Sequence, residues 1–253
     1  MYFVYKYAVM IFKRKGSKKE EKDLITWRGH EVARIEAFSD AVFAFAITLL
    51  IVSLEVPKSY DELIINIKGF LPFGICFAMF YQVWVTQNLF FRRYGMNDEF
   101  TNFLNAALLF FVLFFVYPLK FLWASMLLRN GSIKTPMQAV HLWYIYSGGF
   151  AVIYLLFTAM YWHALRRKEH LKLTDSEAFE TKTYIYRNFF MAMIGVLSII
   201  IASFGSRFLF FAGMCYALIG PITGMTHSKR KKVHNRRYAR SESITEEAKI
   251  EGQ

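Results

Sequence analysis

The sequence predicts an all-α, polytopic membrane protein with six transmembrane helices and both termini cytoplasmic. Three observations predict it. Of the 253 residues, 55% are hydrophobic and 19% aromatic, above the roughly 45–50% apolar share of soluble domains. The 20% that are charged are unevenly placed, so that apolar stretches almost free of Lys, Arg, Asp and Glu alternate with short basic patches. Inside hydrocarbon each backbone group has to be satisfied within the protein, which selects helices over open sheet. A disordered chain, a disulfide scaffold and an ordinary cytosolic enzyme are excluded by the same pattern. Cys76 and Cys215 lie far apart in apolar runs, where a thiol behaves as a small hydrophobe.

The elements follow in chain order. Residues 2–12 are apolar but precede their basic residues and lead to no small-residue cleavage site, unlike a signal peptide. They are too short to cross about 30 Å of hydrocarbon and read as an interfacial helix or a frayed end. A span needs about 20 apolar residues, and six windows supply them: 36–54, 65–85, 103–123, 142–165, 184–203 and 207–225. The last two form one apolar run broken only at Ser203-Phe204-Gly205-Ser206-Arg207, which predicts a tight helical hairpin. Three regions result: a basic cytoplasmic segment 1–33, a membrane domain 34–225, and a basic-then-acidic tail 226–253 predicted to be disordered.

Lys and Arg fix the orientation. Nine precede the first span, two are Arg92 and Arg93, six run from Arg166 to Arg187 and eight follow the sixth span, so 25 of 31 lie on one side. That bias makes this side cytoplasmic. The tail segment HSKRKKVHNRRYAR, residues 227–240, reads as facing anionic lipid headgroups rather than nucleic acid.

The first span carries the chemistry. Arg34, Glu36 and Asp40 stand at its cytoplasmic start, and an acid within an apolar window normally faces protein or water and has a partner. At about 100° per residue, Phe38, Ala41, Phe45, Thr48, Leu49 and Val52 share one arc while Asp40 points away. Periodicity leaves open whether that arc faces lipid, packed protein or a pathway, and Thr48 could simply bond its own helix.

The string RIEAFSDAVFAFAITLL, followed by Leu54-Glu55-Val56-Pro57, resembles the signature of the transmembrane protein 175 family, potassium channels of lysosomes and prokaryotes. Arg34, Phe38, Ser39, Asp40, Val42-Phe43-Ala44, Ala46 to Leu50 and Glu55 to Pro57 stand in register. Weaker likeness continues through Trp84, Leu89-Phe90, Leu104-Asn105 and Pro118. The single six-span repeat is similar to the prokaryotic members, which are homotetramers, and a prokaryotic inner membrane is the implied location.

The resemblance implies a central pore lined by the first helix of each subunit, with apolar rings at Phe45, Leu49 and Val52 and a threonine layer at Thr48 where permeating potassium is expected. It also implies that Arg34, Phe38, Ser39 and Asp40, with Trp84, Gln87, Asn88 and Asn105, form the cluster that sets the pore helix. Two positions depart from the family: Phe45 stands where an aliphatic residue is usual, and Gln87 and Asn88 replace frequent histidines. Neutral amides still hydrogen-bond, but a pH dependence residing in those histidines would be absent.

There is no TVGYG loop, so selectivity would rest on an apolar constriction that controls radius and wetting, giving a modestly selective, leak-like conductance. The rival reading is a secondary transporter of a cation or small solute. Gly69, Pro72 and Gly74 in the second span and Gly220-Pro221 in the sixth faintly echo broken transporter helices. No catalytic motif, metal-ligand spacing or cofactor loop appears, so an enzyme is not expected. His163, in Tyr161-Trp162-His163, reads as part of an interfacial aromatic belt.

Overall fold

A computed structural model describes residues 28–29, 33–52, 58–128 and 133–220. The proposed interfacial helix at 2–12, the Glu55–Pro57 motif, the end of the sixth window and the tail lie outside the described residues. Among the described residues all regular structure is helical: α1 Arg34–Val52, α2 Tyr60–Tyr94, α3 Glu99–Leu128, α4 Pro136–Arg166, α5 Asp175–Ser203 and α6 Leu209–Met214, with single 3-10 turns at Ser206–Phe208 and Cys215–Leu218.

Helices α2 to α5 are each long and apolar enough to cross a membrane. They begin before the apolar windows, and α2 and α3 also run well past them, because polar residues cap and prolong them. At 35 residues, α2 extends about 52 Å. It starts with Ser59 Oγ accepting from the Glu62 N–H at 3.2 Å and with Asp61 and Glu62 in its first turn. Arg92 and Arg93 close its last turn, so both ends oppose the helix dipole. It runs unbroken through Gly69, Pro72 and Gly74, which the sequence had suggested as interruptions. Thr135 with Gln138, and Thr174 with Glu177, form reciprocal capping boxes that start α4 and α5. The predicted break follows α5: Ser203 is its last residue and Gly205 takes φ 115°. Beyond it, Ser206–Leu218 is an apolar stretch shorter than a span.

α1 packs on α2 and α3, and α4 pairs with α5 along the longest interface of the bundle. The core contains Ala46 and Leu50 of α1, Cys76 and Phe80 of α2, Leu108, Val112, Val116 and Leu119 of α3, and Phe157, Met160 and Tyr161 of α4. The outside is as apolar as the inside. Phe110, Phe114, Tyr117 and Phe121 form an exposed stripe on α3, the surface expected of a helix bathed in lipid.

Where α2 ends and α5 begins, polar contacts replace this packing. Arg28 donates to Glu177 from both terminal nitrogens, at 3.1 and 2.9 Å, and from Nε to the Leu171 carbonyl at 2.8 Å. Arg93 pairs with Glu180, and the Tyr94 and Thr181 hydroxyls lie 2.8 Å apart. The Gly29 N–H donates to the Arg92 carbonyl at 3.2 Å, and Gly95 caps α2 at φ 58°. A Cβ on Gly29 would stand 3.0 Å from the Phe91 carbonyl oxygen and one on Gly95 3.0 Å from the Arg28 carbonyl. Two backbones therefore touch directly here.

The α4–α5 interface is equally close at Gly195, where an added Cβ would meet the Ser147 carbonyl oxygen at 2.9 Å and Ala151 Cβ at 3.0 Å. Gly195→Leu is expected to wedge these helices apart at a cost of about 1–3 kcal/mol. Thermal unfolding in detergent measures it, with Gly148→Leu, where an added Cβ meets nothing within 4 Å, as the near-neutral control.

Candidate functional site

Helix α1 has two unlike faces. Ser39, Phe43, Ala46 and Leu50, spaced at helical intervals, are at most 2% exposed. On the other side Phe38 and Phe45 are 58% and 57% exposed, with Ala41 and Thr48 beside them. Leu49 is half-buried at the border. The side chain of Val52 lies outside the described residues. The arc singled out from sequence is thus left largely uncovered by the rest of its own chain. Thr48 Oγ1 donates to the Ala44 carbonyl at 2.9 Å. Its proton is committed to the helix, and its lone pairs remain available as acceptors.

The buried face is held by a directional chain of hydrogen bonds through three helices. Ser39 Oγ donates to the Ile35 carbonyl at 2.7 Å and accepts from Asn105 Nδ2 of α3 at 2.8 Å. Asn105 Oδ1 accepts from Gln87 Nε2 of α2 at 2.8 Å. All three side chains are buried. At the edge of this stripe Trp84 Nε1 donates to Asp40 Oδ1 at 2.7 Å, which gives this acid its partner.

Of the eight residues assigned to the family cluster, the structure joins Ser39, Asp40, Trp84, Gln87 and Asn105. Arg34 and Phe38 are exposed, and Asn88 is half-buried outside the hydrogen-bond chain. Gln87 turns inward to Asn105. An amide donates and accepts at once, so two amides satisfy each other in a core with no counter-charge.

Two anchors of α1 and one link between α3 and α4 escaped sequence reading. Lys120 of α3 donates from Nζ to the Leu50 carbonyl at 2.7 Å, placing a cation on the last turn of α1; its signal was the single charge in the apolar window 103–123. Arg28, six residues before Arg34, ties the approach to α1 to the far side of the bundle. His163 Nε2 lies 2.8 Å from Asp98 Oδ2, a specific pairing where the sequence suggested only an aromatic belt. Asp98 also accepts from the Thr101 hydroxyl at 2.7 Å at the start of α3. Partial burial raises the Asp98 pKa, but the hydrogen bonds from Thr101 and His163 outweigh it and hold the carboxyl below its ordinary value. Among the described residues, no three His, Cys, Asp or Glu side chains are grouped to hold a metal ion.

These features define a multi-pass, all-helical membrane protein whose first helix is anchored on one face and uncovered on the other. Comparison with known proteins gives its kinship. Residues 34–115 match the sequence family described as endosomal/lysosomal potassium channel TMEM175. A protein of Marivirga tractuosa named potassium channel is 38% identical over 214 residues, which cover 78% of this chain and 87% of that protein. The crystal structure of a variant of the potassium channel MtTMEM175, in complex with a nanobody-MBP fusion protein, superposes with a TM-score of 0.75 at 33% identity, covering 83% of this chain and 98% of that one. A lysosomal potassium-selective channel TMEM175 homolog from Chamaesiphon minutus shares the fold, at a TM-score of 0.55 and 24% identity over 76% of this chain and 96% of that one. The chain belongs to the TMEM175 family.

Asn105→Ala removes the middle of the buried chain and is expected to destabilise the protein by about 1–3 kcal/mol, through the unpaired Gln87 amide; Asn105→Ala combined with Gln87→Leu should recover part of that loss, as read from paired thermal melts. Because the folded Asp98 pKa is depressed, its contribution to stability is complete above the ordinary carboxylate range and is lost as pH falls through the depressed value. Melting temperature followed through that acid window is expected to fall more steeply in wild type than in Asp98→Asn.

Proposed function

We propose that this chain is one subunit of a potassium channel, a homotetramer whose central pore is lined by α1. The observation that carries the reading is the uncovered face of α1. An apolar face bearing Phe45 and one hydroxyl, Thr48, is turned away from its own bundle, while the opposite face is locked to α2 and α3. The kinship with proteins named potassium channels, in bacteria among others, supports it. In this reading potassium is the permeating ion, no cofactor is used, and the protein is not an enzyme.

Phe45, Leu49 and Val52 of four subunits form the apolar constriction, and the Thr48 oxygens form the polar layer beside them. Such a constriction governs passage through radius and wetting. With a hydroxyl ring in place of carbonyl rings, discrimination rests on dehydration and size, so the conductance is modestly selective and leak-like. A phenylalanine at the constriction adds a π face within reach of a dehydrated cation. The Asp40, Ser39, Trp84, Gln87 and Asn105 contacts set the angle of α1 and hence the radius at Phe45.

The topology in this reading has six spans within residues 34–225, with 1–33 and 226–253 cytoplasmic in a prokaryotic inner membrane and basic segments against anionic headgroups. α1 is the first span, and the sixth begins at the 3-10 turn after Gly205. The carrier alternative drew on broken helices, and the unbroken course of α2 through Pro72 weighs against it.

Single-channel recording of the reconstituted protein tests the assignment. Thr48→Ala is expected to lower the potassium-to-sodium permeability ratio severalfold, and Phe45→Ala and Leu49→Ala to raise unitary current while reducing selectivity. Unchanged permeation in all three variants would place the pore elsewhere, and flux without unitary steps would favour a carrier.

A further inference from the structure

The inner ends of α4 and α5 and the turn between them enclose a cleft of about 820 Å³. Four exposed cations line it: Arg166, Lys168, Lys172 and Lys182. Among the described residues none of the four has a carboxylate within 4.0 Å, whereas the nearby Arg28, Arg93 and Arg167 each do. Glu169 and Asp175 also line the cleft, so a net positive charge remains there without an ion-pair partner. Such a concave, basic lining concentrates anions.

The remaining wall narrows the choice of anion. Trp162 and Phe179 line the same cleft and are 44% and 45% exposed. The Arg166 guanidinium lies 3.8 Å from the Trp162 ring centroid, which holds a cation directly against the aromatic wall. A small soluble anion gains nothing from two exposed rings, whereas an amphiphile engages both walls at the headgroup level. Lys172 lines the cleft while its backbone takes φ 48°, a left-handed conformation uncommon for a residue with a side chain. Its carbonyl accepts from Arg28 Nη2 at 3.2 Å. One residue thus faces the cleft and holds the segment that leads into α1.

We infer that the α4–α5 cleft binds the phosphate headgroup of an anionic phospholipid, and that a bound lipid steadies the turn on which Arg28 anchors the approach to α1. The inference rests on the proposed orientation, which puts this turn at the cytoplasmic headgroups. Arg166, Lys168, Lys172 and Lys182 supply the charge, and Trp162 and Phe179 receive the upper acyl chains.

The full chain in mild detergent, titrated with phosphatidylglycerol or phosphatidylcholine and read by native mass spectrometry, tests it without reference to ion flux. Lys168→Gln with Lys172→Gln and Lys182→Gln is expected to weaken phosphatidylglycerol binding roughly fivefold for each cation removed. The same charge change at exposed lysines away from the basic segments, Lys58, Lys68 and Lys134, is expected to leave it intact. Trp162→Ala keeps every charge at an exposed position and is expected to weaken binding severalfold. Equal effects of the cleft variant and this control, no effect of either, or equal binding of phosphatidylcholine would overturn the site. Displacement of the lipid by millimolar inorganic phosphate, or unchanged binding in Trp162→Ala, would overturn the lipid assignment. A protein that keeps its lipid yet passes no potassium would count against the channel reading alone.

Discussion

Lipid tails are as apolar as leucine, so a phenylalanine gains little by leaving lipid for protein, and burial alone does not fix how these helices meet. What fixes α1 is a line of buried polar groups from Ser39 through Asn105 to Gln87, flanked by the Trp84–Asp40 contact. Each bond of this kind is worth about 0.6–2 kcal/mol in a membrane bundle, less than a large core side chain in water, but none tolerates another partner geometry. Ser39 and Asn105 meet only when α1 and α3 have one rotation and one depth. The apolar core around Leu108, Val112 and Leu119 then closes on a geometry already chosen.

The same line makes α1 asymmetric. Ser39, Phe43, Ala46 and Leu50 turn inward, and Phe38, Phe45 and Thr48 turn out, so two bulky aromatic rings stand on the uncovered face while a serine lies buried. Lys120 at the last turn and Arg28 before the first hold the two ends of this approach from different helices. The helix is therefore supported along its length from one side only, which frees the other for whatever meets it in the membrane.

The apolar centres of α2 to α5 were legible because runs of about 20 hydrophobic residues have few other uses. Their ends were not, since hydropathy registers only the part in lipid, and α2 reaches Tyr94 through Gln87, Asn88, Arg92 and Arg93. The break at Gly205 was legible from local chemistry, as it stands alone in a long apolar run. At the site, the outward arc with Phe45 and Thr48 followed from helical spacing, and Asp40 was marked by its cost in hydrocarbon. The partners were beyond reach: Arg28 and Glu177 are 149 positions apart, and Lys120 and Leu50 70. Gln87 illustrates why, for an amide says that a hydrogen bond is needed and nothing about who supplies it.

The contact between Gly29 and Gly95 binds two distant stretches of sequence to a common history. Gly29 makes room for the backbone of Phe91 and Arg92, and Gly95 for that of Arg28 and Gly29, so neither can acquire a side chain while the backbone facing it stays in place. A lineage that loses one has to rebuild the junction wholesale, with a new C-cap for α2 and a new path into α1. Variation in the 65 positions between them is free by comparison, which makes this pair a place to look for concerted change among relatives.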